Sequence, residues 1–231
     1  MQKEIVQKII KTMHEDGAKA CLKKTEKYIE KKIRQSKLGK PAYKDILFIS
    51  GCREDLPHPW RYRVKHQREQ LEAYHYATDE VYYQDLKMEQ LNYYRAFVFF
   101  RCPCTDVINE FVDEAKNLNK KIIYDVDDLV IDTFYTNQIK FVQEMSSADK
   151  AAYDDNVLSM QNLLRKCDLA ITSTNCLADE LRKYVPFVYI NRNTASEEMV
   201  KLSKEAVKGK KAENQSVKLG YFSGSITHNA D

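Results

Sequence analysis

The chain has 231 residues, 43% hydrophobic and 31% charged, with 37 Lys and Arg against 34 Asp and Glu and a formal net charge of +3. That length suffices for a buried core and fits one large α/β domain, or one domain with part of another. The small charge excess makes no case for nucleic acid as the main ligand.

Six cysteines (Cys21, Cys52, Cys102, Cys104, Cys167, Cys176) are scattered through apolar segments. They read as free thiols of a reducing cytoplasm, not a secreted disulfide framework. Cys102-Pro103-Cys104 lacks a second ligand pair, so no zinc site is expected. The charged amino end has no signal-peptide core. No apolar run approaches the roughly 20 residues of a membrane span.

In chain order, 1–43 reads as an amphipathic helical segment, with Ile5, Ile9, Ile10, Cys21, Leu22 and Tyr28 apolar among many lysines. A solvated arm and peripheral contact with an anionic membrane surface are the competing readings of those lysines. Asp45–Gly51 is a buried strand ending in a tight turn. A helix is predicted over Tyr62–Tyr76, then a strand at Glu80–Tyr83 and another at Ala96–Arg101. Asp106–Leu118 is helical, with Val107, Phe111, Ala115 and Leu118 on one face. Strand Lys121–Asp125, helix Asp149–Lys166 and strand Leu169–Ser173 follow. Thr174 caps a helix to Tyr184, Phe187–Ile190 is a strand, and Ser196 caps a last helix.

Short apolar strands alternating with amphipathic helices predict a Rossmann-like parallel sheet flanked by helices over 44–207. Residues 208–216 read as a polar linker. Val217–Gly224 resumes a strand, and 217–231 is expected to open a second, interrupted domain.

Ligands of open parallel sheets bind beyond the carboxyl ends of the strands. That rule selects Gly51, Arg101, the run Asp125-Val126-Asp127-Asp128, and Ser173. Gly51 permits a tight turn and close approach. Arg61, Arg63 and His66 open the next helix, where arginines suit phosphate or sugar hydroxyls. The acidic run admits three readings: a divalent metal site, a base or acceptor-orienting role for Asp127 and Asp128, or turn capping. Gly224, Ser225 and His228 follow the last strand, where a Gly-Ser turn offers N–H groups to phosphate.

Leu219-Gly-Tyr-Phe-Ser-Gly-Ser-Ile-Thr-His-Asn-Ala-Asp231 resembles the opening of the C-terminal domain of family 4-like glycosyltransferases of bacterial surface polysaccharide synthesis. Tyr124–Leu129 is similar to their acidic strand end, Asp168–Leu181 to the strand and helix closing their N-terminal domain, and Arg61–Val64 to the start of their first helix. The resemblance implies a GT-B fold, a nucleotide-sugar donor, and a polysaccharide or lipid-linked acceptor. By the resemblance Gly51 would lie at the glycine turn near the acceptor and donor phosphates; Arg61, Arg63, His66, Arg101 and Ser173 join it as acceptor-side candidates from their positions, with Asp127 and Asp128 as catalytic candidates. The donor diphosphate would meet Gly224, Ser225 and His228. No metal or other cofactor is expected, and the paired glutamates of such enzymes lie beyond Asp231, so little transfer is expected of this chain alone. A non-catalytic sugar- or nucleotide-binding module is the alternative. A nicotinamide dehydrogenase is disfavoured, because Ser50-Gly51-Cys52-Arg53 holds a single glycine.

Overall fold

The computed structural model describes residues 43–52 and 57–208. The predicted amino-terminal helix, the strand from Val217, and Gly224, Ser225 and His228 lie outside the described residues.

Six short strands form one sheet: β1 (Ile46–Ser50), β2 (Thr78–Tyr82), β3 (Ala96–Phe100), β4 (Lys121–Asp125), β5 (Leu169–Thr172) and β6 (Val188–Ile190). Their order is β2-β1-β3-β4-β5-β6, and every pairing is parallel. The expected Rossmann-like architecture is therefore present. The central strands are apolar at nearly every position because helices or loops meet both faces.

Helix α1 is a continuous helical run of Pro57–Trp60, a π-helical turn Arg61–Lys65, and His66–Ala73. It is followed by α2 (Asp106–Asn117), the short α3 (Thr133–Thr136) and α4 (Lys140–Gln143), α5 (Ser147–Lys166), α6 (Asn175–Leu181) and α7 (Glu197–Lys208). Hydroxyls cap four of them. Thr105, Ser146, Thr174 and Ser196 accept from the backbone N–H groups of Ile108, Asp149, Leu177 and Met199.

The larger core lies between the sheet and α2, α5 and α6. Phe111 of α2 sits edge-on to Phe97 and Phe99, with ring centroids 4.9 and 6.3 Å away. On the opposite face a smaller cluster joins Phe48, Val98 and Phe100 to Val64 of α1, with Trp60, Leu71 and Ile123 packed around it.

Two connections differ from expectation. Between β2 and β3 the chain makes 3-10 turns at Tyr83–Asp85 and Met88–Asn92. Between β4 and α5 it makes the four-residue helices α3 and α4. Elements this short show no readable period. The helix expected from Tyr62 also starts earlier, at Pro57.

Candidate functional site at the strand carboxyl ends

Strand order fixes where the site is. From β1 the chain winds outward to β2, then returns past β1 to β3 and continues the other way. The connections leaving β1 and β3 run to opposite faces of the sheet, and ligands of open parallel sheets bind beyond the carboxyl ends at such a point.

Gly51 stands at that point. Its N–H donates to the Phe100 carbonyl at 2.7 Å. A Cβ on residue 51 would lie 2.0 Å from the Arg101 carbonyl oxygen. The glycine is thus required by the backbone turn after β3. Arg101 answers with a left-handed conformation, φ 45°, which a non-glycine residue adopts at a cost of about 1–3 kcal/mol. Its N–H is held by the Asp125 carbonyl at 3.1 Å.

The Arg101 side chain turns to the acidic run after β4. Nε and Nη2 donate to Asp127 Oδ1 at 2.9 and 2.6 Å, and Asp128 Oδ2 lies 3.7 Å from Nη2. Asp127 is mostly buried, whereas the Asp128 side chain is 54% exposed. Burial pushes the Cys52 thiol up from its ordinary value, and Arg101 opposes that push. Burial likewise raises Tyr153 of α5; Asp128 adds to the shift and Arg101 opposes it. The cation, two carboxylates, a thiol and a phenol therefore share one electrostatic neighbourhood.

Asp125, two residues before Asp127, is fully buried on the α1 face of the sheet. Arg63 Nε and Nη2 donate to its two oxygens at 2.8 and 2.9 Å, and Gln67 Nε2 donates to Oδ2 at 2.6 Å. Desolvation pushes the Asp125 carboxyl up, and Arg63 and Gln67 oppose it. Arg63 Nη1 also reaches the Asn191 carbonyl at 2.6 Å and Asn193 Oδ1 at 3.2 Å. The guanidinium thus ties α1, β4 and the chain beyond β6 together.

Of the residues singled out from sequence, Gly51, Arg101, Asp127 and Asp128 come together at the strand carboxyl ends. Ser173 is half-buried just beyond β5. Arg63 and His66 are buried in contacts with the protein itself, His66 Nδ1 donating to the Thr194 carbonyl at 2.9 Å. Arg61 is exposed, close enough to Glu198 of α7 to help hold that carboxyl below its usual range, behind the larger influence of Lys65.

Gln67 and Tyr153 escape sequence reasoning. Gln67 carries a signal: it stands four residues after Arg63 and so shares its helical face. Tyr153 carries none beyond its place in a helix.

Among the described residues no group of three or more His, Cys, Asp or Glu side chains is arranged to hold a metal ion, and no helix is long and apolar enough to cross a membrane. Comparison of the chain with protein-family models, with curated proteins and with solved structures finds no match.

Proposed function

We propose that this chain carries the acceptor-side half of a GT-B-type glycosyltransferase, which moves a sugar from a nucleotide-sugar to a polysaccharide or lipid-linked acceptor. The reading rests most on the strand carboxyl ends, where Arg101 holds one oxygen of Asp127 beside the exposed Asp128. Carboxylates held this way accept hydrogen bonds from sugar hydroxyls and can take a proton from an attacking one. The resemblance of 219–231 to the opening of a donor-side domain supports the same reading. In it, Asp128 is the proton acceptor or acceptor-orienting group, Asp127 and Arg101 shape the pocket, and the buried Arg63 and His66 act through the positions they fix.

Saturation-transfer NMR with oligosaccharides and nucleotide-sugars tests this. Saccharide binding should be detectable, should fall at least about tenfold in Asp128→Asn, and should exceed binding of the nucleotide-sugar. Tight nucleotide-sugar binding with no saccharide signal would refute the acceptor-side assignment.

A further inference from the structure

Tyr153 stands beside Arg101 and Asp128 with no structural task for its hydroxyl. Helix α5 joins β4 to the parallel β5, so it begins at the strand carboxyl ends and runs back toward the start of β5. Val157, Met160 and Leu164 are buried on its core side. Tyr153 precedes Val157 by one turn and shares that side. Ser159 marks the level along the helix. Cys104, three residues past Arg101, donates its N–H to the Ser159 carbonyl at 3.2 Å, and the Ser159 hydroxyl donates to the Cys104 carbonyl at 3.3 Å. Tyr153 lies six residues nearer the helix start, about 9 Å farther along the axis. It is the end of the core stripe, half-buried where the sheet stops, with its ring packed against the larger core.

Packing accounts for the ring and not for the hydroxyl. Among the described residues the Tyr153 hydroxyl has no hydrogen-bond partner, and its oxygen is open to solvent. A core-filling role alone would be met by phenylalanine, with no hydroxyl to desolvate. The phenol feels both Asp128 and Arg101. Burial and Asp128 hold it protonated, so it can donate as well as accept, whereas the Asp128 carboxylate only accepts. Donor and acceptor side by side match the hydroxyls of a sugar. Arg101 answers one of the carboxylates Asp127 and Asp128, and Lys150 answers Asp154, which leaves one negative charge among these groups.

Building on the acceptor-side reading, we propose that Tyr153 and Asp128 grip the acceptor sugar together, the phenol donating to one sugar hydroxyl and Asp128 accepting from another, and that the sugar held there is uncharged. An acidic sugar would set its own carboxylate against the unanswered one, and that repulsion selects against it.

Saturation-transfer NMR titrations of the full chain with neutral trisaccharides of glucose, mannose and galactose, and with trigalacturonate, test this. Tyr153→Phe should bind the neutral sugar about fivefold more weakly, the loss of one neutral hydrogen bond. Its melting temperature should not change, since the ring stays and no internal hydrogen bond is lost. Trigalacturonate should bind wild type at least about tenfold more weakly than galactotriose at low salt, and the gap should shrink with added salt and in Asp128→Asn. Absence of any saccharide binding by wild type would fell the acceptor-side reading and this inference together. Neutral binding that falls in Asp128→Asn but holds in Tyr153→Phe would overturn this inference and leave that reading standing. So would a loss of stability in Tyr153→Phe, or trigalacturonate bound as tightly as galactotriose.

Discussion

Replacing Arg63 by Met removes the guanidinium while keeping much of the apolar stem. Asp125 then loses two of its three side-chain donors and keeps only Gln67. The Asn191 carbonyl loses its donor as well. Arg63 and Asp125 have side chains with no exposure, so water cannot take the vacated places without rearrangement. Breaking a buried pair from one side costs about 3–5 kcal/mol. For a domain of this size, that lowers the melting temperature by roughly 10 °C. Replacing both partners, as in Arg63→Met with Asp125→Leu, should recover most of the loss, because the uncompensated charge is gone. The pH dependence follows from sign. Burial already raises the Asp125 carboxyl, so its favourable contribution is present at low pH and is lost as pH rises through the folded value. Without Arg63 that value climbs further. The gap between Arg63→Met and wild type should therefore narrow as pH falls from about 8 to about 5. Thermal and urea unfolding followed by circular dichroism measure all three. A single variant within about 1 kcal/mol of wild type would refute the reasoning, since it would mean the charge was never shielded from water.

Gly51→Ala places a methyl group 2.0 Å from the Arg101 carbonyl oxygen and should cost about 3 kcal/mol in urea unfolding, with the backbone of both loops displaced. Arg101→Gly relieves the left-handed backbone while removing the Asp127 ion pair, so unfolding stability should stay within about 1 kcal/mol of wild type while saccharide binding is lost. Asp132 accepts from the Tyr184 hydroxyl and the Phe134 N–H, in that order of influence, which lowers its carboxyl below the ordinary 3.8. Its contribution is present above that value and lost as pH falls through the folded one. Asp132→Asn and Tyr184→Phe should both flatten the acid limb of the stability profile, and an unchanged limb in either would contradict the assignment.

The sheet was legible because its chemistry is local. Phe97–Phe100 and Leu47–Ile49 are apolar on both sides of the pleat, which only a covered parallel strand tolerates. The strand order was not legible. Nothing in the residues of β2 says that it pairs outside β1, and the 3-10 turns that carry the chain on to β3 have no periodic signal. Gly51 was legible as a position needing no side chain. Its neighbour was not: the group it makes room for is a carbonyl some 50 residues away in sequence. The fate of α1's polar residues was hidden for the same reason, because whether Arg63 and His66 face a ligand or their own domain depends on where residues 191–194 return.

The run Asp125-Val126-Asp127-Asp128 shows how burial divides one motif into different tasks. Alternation along β4 sends Asp125 to the α1 face, where it is fully buried and answered by a guanidinium, and Val126 to the larger core. Beyond the last ladder pair the chain leaves the sheet. Asp127 meets Arg101 at the strand carboxyl ends, and Asp128 reaches solvent with one oxygen turned back to the Leu129 N–H. A fully buried carboxylate that already accepts three hydrogen bonds from Arg63 and Gln67 is out of a substrate's reach, so Asp125 positions the loop. Asp128 has the opposite balance, with a side chain 54% exposed to meet a ligand and a guanidinium 3.7 Å away. Amide substitutions should separate them. Asp125→Asn should be read mainly as lost stability, and Asp128→Asn mainly as lost saccharide binding at unchanged stability. If both variants lost stability alike and bound saccharide alike, the division of the motif by burial would be wrong.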